Sequence, residues 1–152
     1  MTVQEVPALA EVRRLRHRQA VDRIDELRLV RRLSRSMPQA ALAQALAVSQ
    51  PAIHKAIRRA ESLGEVREGF SGAGPYEIAE RYAAGLIGRE RLVDELSRWP
   101  YPAAAATDGI DWLVDEPAGA FGEVTRAALD GLIDDDVYAR VQDAAGTARA
   151  GR

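Results

Sequence analysis

The hydrogen-bonding and cationic side chains between residues 50 and 59, QPAIHKAIRR, carry the clearest chemistry in the sequence. Ile53 and Ile57 recur there at helical spacing, so a helix over this run has an apolar back. Its front is made of Gln50, His54, Lys55, Arg58 and Arg59. Such a front offers donors and acceptors to base edges and cations to phosphates, as a helix in the major groove of DNA must.

Two short helices joined by a tight turn are expected to position this face. The first spans residues 39–47, the turn is Val48 and Ser49, and the second begins at residue 50 and reaches residue 59 or slightly beyond. The Ser49 hydroxyl suits a helix cap, and Pro51 sits in the first turn, where a missing N–H costs nothing. The apolar set expected to hold the two helices together is Leu42, Leu46, Val48, Ile53 and Ile57, with the small Ala43 at the closest approach.

The stretch LAQALAVSQPAIHKAIR resembles the bacterial helix-turn-helix, whose usual form is close to LAxxLGVSQPAISRxLR. The matching positions are Leu42, Ala43, Leu46, Val48, Ser49, Gln50, Pro51, Ala52, Ile53 and Ile57. Ala47 stands where the turn usually has Gly, which requires a negative φ or mild strain. His54 replaces a small polar residue and would change which bases are read. The resemblance implies DNA binding, and the alternative is an ordinary helical hairpin inside a bundle.

One long helix, or two with a weak point at residues 16–19, is predicted over residues 8–35. Its two apolar rows are Leu9, Val12 and Leu15, and Ala20, Ile24, Leu27, Val30 and Leu33. The arginines around them favour a solvated helix that covers the motif, over residues 20–35 above all. A dimerising coiled coil is a further alternative, although the apolar rows do not keep its strict heptad. Phosphate contacts are the sharper alternative for Arg31, Arg32 and Arg35, which lie nearest the motif in sequence. The predicted DNA-contacting set adds these three to Ser49, Gln50, Pro51, His54, Lys55, Arg58 and Arg59.

Composition sets the broad class. The 152 residues suffice for one or two small domains, and 47% hydrophobic with only 5% aromatic residues favours an all-α fold. The absence of Cys excludes disulfides and thiolate metal sites. No apolar run reaches membrane-spanning length and the N-terminus lacks an apolar signal core, so we expect a cytoplasmic protein. Heavy use of Ala, Arg, Asp and Gly is typical of GC-rich bacterial genomes such as those of actinobacteria.

Charge divides the chain into two halves of opposite sign. Residues 1–68 hold 13 Lys or Arg and 8 Asp or Glu, whereas residues 69–152 hold 8 and 15. The basic half suits a polyanion, and the acidic half suits solvent or another protein. We therefore predict a helix-turn-helix domain over residues 1–70 and an acidic helical domain over residues 71–152, joined by a flexible glycine-rich hinge at 69–74. A wing hairpin within residues 65–78 is the alternative to the hinge.

A weak internal repeat organises the acidic half. RYAAGLIGRERLVDEL at residues 81–96 and RAALDGLIDDDVYARVQ at residues 126–142 both read as a helix, Gly-Leu-Ile and a charged second helix. Gly85 and Gly131 should end the first helices in the left-handed conformation, and Gly88 and Asp134 should open the second ones. The pattern resembles small helical hairpins of bacterial proteins that often act in oligomerisation or partner docking.

The large aromatic residues Trp99, Tyr101, Trp112 and Phe121 lie between the two hairpins in sequence. The preferred interpretation is that they fill the core between the hairpins. The alternative is that they anchor a partner protein, since Trp and Tyr are enriched at such contacts.

No catalytic constellation is visible in the sequence. The two histidines, His17 and His54, lie among arginines, which argues against a cation site. The acidic residues Asp108, Asp111, Asp115 and Glu116 lack the alternate-residue pattern of a calcium loop. We therefore expect neither an enzyme nor a bound metal or cofactor.

These patterns together favour a sequence-specific DNA-binding transcriptional regulator that reads double-stranded DNA with the helix at residues 50–59. Because one such motif reads only a few base pairs, a homodimer is expected, with the acidic half as the dimerisation or partner-binding region. The alternative is an antitoxin or adaptor, whose acidic half binds a partner such as a toxin and whose basic half represses its own operon.

Overall fold

The computed structural model describes residues 6–102 and 117–150, with side chains described up to residue 147. Within these ranges the chain forms seven helices and no strand, which confirms the all-α expectation for the described part. The helices are α1 (Pro7–Leu33), α2 (Gln39–Leu46), α3 (Gln50–Leu63), α4 (Pro75–Ala83), α5 (Arg89–Arg98), α6 (Gly122–Leu129) and α7 (Asp135–Ala150). None of the described helices is both long and apolar enough to cross a membrane.

The chain divides into two compact units, Met1–Val66 and Arg67–Arg152. This boundary lies four residues before the predicted one, because the segment expected to be a free hinge packs within the second unit. The Phe70 ring meets the Trp99 ring edge-on with centroids 4.7 Å apart, and the Arg67 amide donates to the Gly72 carbonyl at 3.2 Å. The described residues between α3 and α4 form turns, so no wing hairpin is present there.

In the N-terminal unit, α1 and α2 both pack against α3. The core cluster consists of Val30, Leu42, Ala43 and Ile53, with Met37, Ala56 and Ile57 partly buried at its edge. Leu46 and Val48 are expected in this set, yet they are 47% and 45% exposed. Helix α2 has only eight residues and buries a single turn, Leu42 and Ala43; Leu46 is its last residue, and Val48 lies in the turn beyond it.

Helix α1 is continuous through the predicted weak point at residues 16–19. Its buried residues are Val21, Leu27, Arg28 and Val30, so only the C-terminal half packs in the core. The N-terminal half is held by side-chain pairs along its own surface. Arg14 donates to the Glu11 carboxylate at 2.9 Å, a bond that lowers the pKa of Glu11 from its usual value.

The C-terminal unit consists of two helical hairpins, α4–α5 and α6–α7, with α4 packed on α6 and α5 on α7. The two predicted left-handed turns are confirmed, with φ of +78° at Gly85 and +77° at Gly131. After each glycine the backbone folds back identically: the Leu86 amide donates to the Arg81 carbonyl and the Leu132 amide to the Ala127 carbonyl, both at 2.9 Å. The internal repeat of the sequence is therefore a repeat of structure.

The second helix of each hairpin begins as predicted. Gly88 precedes α5, and Asp134 precedes α7 with its carboxylate accepting the Val137 amide at 2.8 Å. The Asp134 carboxylate also accepts Arg89 at 2.6 Å, across the two hairpins. Both bonds lower the pKa of Asp134, and the bond from Arg89 has the larger effect.

The core of the C-terminal unit is larger than that of the N-terminal unit. Its buried residues are Ile78, Ala79, Leu92, Leu96, Trp99, Val124, Ala127, Leu132, Ile133, Val137 and Val141. Beside this core the Tyr76 hydroxyl donates to Asp130 at 2.7 Å, and burial together with this bond raises the pKa of Tyr76 to about 12. A charged residue is also buried here: Glu95 is 1% exposed, and within the described residues neither carboxylate oxygen has a hydrogen-bond partner.

Candidate nucleic-acid interface

Helix α3 begins at a side-chain cap. The Ser49 hydroxyl accepts the Ala52 amide at 3.2 Å, which confirms the predicted cap. Pro51 lies in the first turn, so its missing N–H leaves no helical bond unmade. The helix then runs on to Leu63 and ends at Gly64, where φ is +72°. A cap at one end and a glycine stop at the other define where the helix begins and how far its surface extends.

The two faces of α3 differ as the sequence predicts. Ile53 is 2% exposed and Ala60 is fully buried, which holds one side of the helix in the core. Six exposed residues lie outside this buried side: Gln50 at its edge, three residues before Ile53, and Pro51, His54, Lys55, Arg58 and Arg59 around the rest of the helix. We call these six residues the α3 front.

The polar side chains of the α3 front have no hydrogen-bond or ion-pair partner within the described part of the chain, whereas most other arginines there are paired. Lys55, Arg58 and Arg59 thus present three positive charges that face water. His54 and Gln50 add a ring and an amide that can donate and accept. The arrangement is suited to an extended polyanion rather than to an internal structural role.

The turn that precedes α3 contains Ala47, which stands where the usual motif has Gly. Ala47 has φ +54° and ψ +43°, the left-handed conformation, and it is the one non-glycine residue with positive φ among those described. The Val48 amide donates to the Ala43 carbonyl at 3.0 Å and the Ala47 amide to the Gln44 carbonyl at 3.2 Å. This is the bonding of a glycine-ended helix, so the strain that the sequence allows at Ala47 is present.

The arginines predicted near the motif take two different environments. Arg31 is only 27% exposed on its side chain, and its guanidinium lies 3.4 Å from the Glu65 carboxylate, just beyond the C-terminal end of α3. Arg32 and Arg35 are exposed and make no bond to the α3 front within the described residues. The structure therefore brings Arg31 to the exit of α3, away from Ser49 and Gln50 at its start.

The sequence prediction groups Arg28 with the solvent-exposed arginines of α1, and for this residue it is wrong. It is 2% exposed, and its Nε donates to the Gly64 carbonyl at 2.9 Å. The bond ties α1 to the residue at which α3 ends. A signal was present in the sequence, because Arg28 falls on the same helical face as Val21 and Ile24.

The aromatic residues proposed as partner anchors lie inside the C-terminal unit. Trp99 is 6% exposed and donates its indole N–H to the Gly119 carbonyl at 3.2 Å, while the Tyr101 hydroxyl donates to the Leu96 carbonyl at 2.6 Å. Phe121 packs edge-on against Tyr101 with centroids 5.2 Å apart. Trp99 therefore lies in the core, Tyr101 and Phe121 are partly buried and pack against it, and Trp112 lies outside the described residues.

Metal-binding groups are absent from the parts of the chain that the structure describes, where no three His, Asp or Glu side chains converge. The acidic residues Asp108, Asp111, Asp115 and Glu116 lie outside those parts.

Comparison with models of known protein families, with curated protein sequences and with solved structures finds no match. The function must therefore be argued from the site itself.

Proposed function

We propose that the protein is a sequence-specific DNA-binding protein, a transcriptional regulator of the helix-turn-helix type, that places α3 in the major groove. The observation that carries the proposal is the α3 front: three cations and two hydrogen-bonding side chains, all exposed, on a helix whose back is fixed in the core. Such a helix presents its polar face as a rigid unit, which direct reading of base edges requires.

The position of each residue along α3 suggests its role. Gln50 stands at the first turn and suits the paired donor and acceptor of adenine. Lys55 and Arg58, one and two turns further on, suit guanine, and Arg59 suits a phosphate. Ser49, with the backbone N–H of Gln50 beside it, suits a phosphate oxygen because helix N-termini attract anions. Arg32 and Arg35 remain candidates for phosphate contacts, whereas Arg31 would first have to leave Glu65.

The net charges of the two units agree with DNA binding by the N-terminal unit. Residues 1–66 hold 12 Lys or Arg and 7 Asp or Glu, a net charge of +5, whereas residues 67–152 hold 9 and 16, a net charge of −7. A polyanion would be drawn to the first unit and repelled by the second. The DNA-binding surface is therefore assigned to the N-terminal unit.

The first test is salt dependence of binding to genomic DNA fragments. Each phosphate neutralised by Lys55, Arg58 or Arg59 should contribute about 0.9 decades of affinity per decade of salt. Arg59→Gln should reduce the slope by roughly one unit on every sequence alike. The control is Arg140→Gln, an exposed arginine on α7, which should leave the slope unchanged. Absence of binding to any fragment at low salt would refute the proposal.

The second test separates reading of bases from attraction to the backbone. Gln50→Ala should weaken binding to the preferred site by roughly 1–3 kcal/mol and barely change binding to random DNA. Gln142→Ala makes the same change on the exposed surface of α7 and should affect neither. Equal loss on both DNAs would assign Gln50 to the backbone instead.

The alternative, an antitoxin or adaptor, draws on the net charge of −7 in the C-terminal unit, which suits a basic protein partner. Because Trp99 is buried, it is not available as an aromatic anchor, and such a partner would bind the acidic surface instead. An antitoxin should neutralise the product of a small neighbouring gene when the two are co-expressed. Growth arrest by that product, unrelieved by this protein, would exclude the alternative.

A further inference from the structure

Large apolar side chains left at the surface are concentrated in the N-terminal unit. Seven of them are exposed there: Val12, Leu15, Leu29, Leu33, Leu46, Val48 and Val66. In the described part of the C-terminal unit only Leu86 and Leu129 are comparably exposed. Four of the seven lie on α1. The acidic half is expected from sequence to supply a dimer contact, yet the unpartnered apolar surface lies in the basic half.

The four exposed residues of α1 form one stripe along the helix. In a heptad frame Val12 and Leu33 occupy a positions, and Leu15 and Leu29 occupy d positions. The a and d positions between them hold Gln19, Asp22 and Glu26. The residues that α1 buries in its own unit, Val21, Leu27, Arg28 and Val30, fall outside these positions. Val12, Leu15 and Leu33 belong to the apolar rows that the sequence predicts, but the structure leaves them at the surface. The stripe is therefore a second apolar face of α1, with a polar centre.

Among the described residues, the N-terminal half of α1 has side-chain pairs along its surface but no buried residue. No residue from Pro7 to Ala20 is buried, although Leu9, Val12 and Leu15 are apolar. A helix of this length without tertiary packing is only marginally stable in water. A partner on the stripe would supply that packing.

We propose that α1 pairs with α1 of a second copy of the chain, in antiparallel orientation, to form a homodimer. A parallel pair would stack Asp22 on the partner's Asp22 and Glu26 on the partner's Glu26, two like-charge contacts in the seam. An antiparallel pair instead places Val12 against the partner's Leu29 and Gln19 against the partner's Asp22. Gln19 and Asp22 at the polar centre can then hydrogen-bond, and Val12 near one end of the stripe meets Leu29 near the other.

Two further seam positions remain: Leu33 meets the partner's Ala8, and Leu15 meets the partner's Glu26. The Glu26 carboxylate lies 3.1 Å from the Arg23 guanidinium of its own helix, so its charge is already paired at the edge of the seam. Its methylene groups are then free to cover Leu15, as the stems of charged side chains commonly cover apolar surface. The antiparallel register therefore leaves no carboxylate facing another carboxylate.

The charged side chains along one flank of the stripe also favour the antiparallel register. The g positions of the frame are Glu11, Arg18, Asp25 and Arg32. In the antiparallel register Arg18 faces the partner's Asp25, and Glu11 faces the partner's Arg32, so every pair is of opposite sign. On the other flank Arg16 approaches the partner's Arg23, whose charge is offset by Glu26 at 3.1 Å in its own helix.

The dimer contact shares no residue with the α3 front, so the dimer can be tested without DNA. Sedimentation of the full chain over a concentration series should show reversible dimerisation. Leu29→Arg places a charge in the seam at a side chain that is 52% exposed, so folding should survive while the dimer is lost. The control is Leu129→Arg, on an 82% exposed leucine of α6, which should leave the dimer unchanged. A wild-type monomer at every concentration, or a dimer that Leu29→Arg leaves intact, overturns the proposal.

Engineered cysteines test the orientation, because the chain has none of its own. A Val12→Cys chain mixed with a Leu29→Cys chain should form a disulfide-linked dimer on oxidation, whereas either chain alone should not. In an antiparallel pair of two Val12→Cys chains, the introduced thiols are separated by about 17 residues of helix, roughly 25 Å. Cross-linking of Val12→Cys to itself would indicate a parallel pair and overturn the orientation.

A charge swap tests the register. Arg18→Glu should weaken dimerisation by about tenfold, as should Asp25→Arg, since each places two like-charge contacts in the dimer. The double variant should restore the wild-type dissociation constant. Within its own chain Arg18 pairs with Asp22 at 3.2 Å, and Asp25 lies 3.9 Å from the buried Arg28 guanidinium, so circular-dichroism melts of each variant must first show that the fold is kept. Arg18 and Asp25 are two helical turns apart, so rescue of the dimer would require contact between chains. Additive losses in the double variant would overturn the register.

Discussion

The N-terminal unit has a small core cluster and an outward-facing set of apolar side chains, whereas the C-terminal unit turns its apolar residues inward around two repeated hairpins. The aromatic residues follow the same division, since Phe70, Trp99, Tyr101 and Phe121 all pack in the second unit. A small domain that leaves apolar surface exposed gains less stability from folding alone. We infer that the C-terminal unit is the self-sufficient scaffold and the N-terminal unit the one completed by what it binds.

Buried charge sharpens the contrast. Among the described residues each unit encloses one charged side chain, Arg28 in the first and Glu95 in the second. Arg28 donates to the Gly64 carbonyl, whereas the Glu95 carboxylate has only the Arg91 guanidinium 3.7 Å away and no hydrogen bond within the described residues. Both tryptophans of the chain belong to the C-terminal unit, so indole fluorescence reports that unit alone while far-ultraviolet circular dichroism reports both.

The largest effect is expected from Arg28→Ala. It removes the bond to Gly64 and opens a cavity between α1 and α3, at a cost of about 2–4 kcal/mol in the free energy of unfolding of the N-terminal unit. Circular dichroism should show an earlier transition while tryptophan fluorescence melts as in the wild type. Arg31→Ala, which breaks the exposed pair with Glu65, is the control and should cost less than about 1 kcal/mol. Equal effects of the two variants would contradict the role assigned to Arg28.

Glu95→Leu should act in the opposite direction and on the other unit. Replacing a buried carboxylate that lacks hydrogen bonds by an apolar side chain of similar size should stabilise the C-terminal unit by about 1–3 kcal/mol. The tryptophan transition should therefore move to higher temperature. Glu95→Gln keeps a polar group at the site and should gain much less. A destabilised Glu95→Leu would show that the carboxylate has a partner that stabilises it.

The smallest effects concern the left-handed turn that both units use. Gly131→Ala should cost about 1 kcal/mol through backbone strain alone, since an added Cβ there meets no atom within 4 Å. Ala47→Gly should relieve the same strain and stabilise the N-terminal unit by roughly 0.5–1 kcal/mol. Thermal melts read by fluorescence and by circular dichroism should show these shifts in different units. Destabilisation by Ala47→Gly would mean that entropy of the unfolded glycine outweighs the strain.

Features that depend on neighbours within a few residues were readable from the sequence. The Ser49 cap, the glycine stops at Gly85 and Gly131 and the two faces of α3 all follow from local hydrogen bonds, handedness and helical periodicity. These interactions span at most two turns of helix, so residue spacing alone specifies them. The chemistry of the α3 front was visible for the same reason.

Burial was decided only by the tertiary structure. Arg28 and Arg32 are both arginines on one helix, yet one is enclosed and the other exposed, because α3 ends beside the first. Leu46 and Leu42 share a helical face, but eight residues of α2 bring only one of them fully into the core. Phe70 belongs to the second unit because its ring packs edge-on against Trp99 and lies under the Arg98 guanidinium. Each outcome depends on which element packs there from a distant part of the chain. Residue spacing places Arg28 on the same face as Val21 and Ile24, but it does not specify that the Gly64 carbonyl lies there to accept its bond.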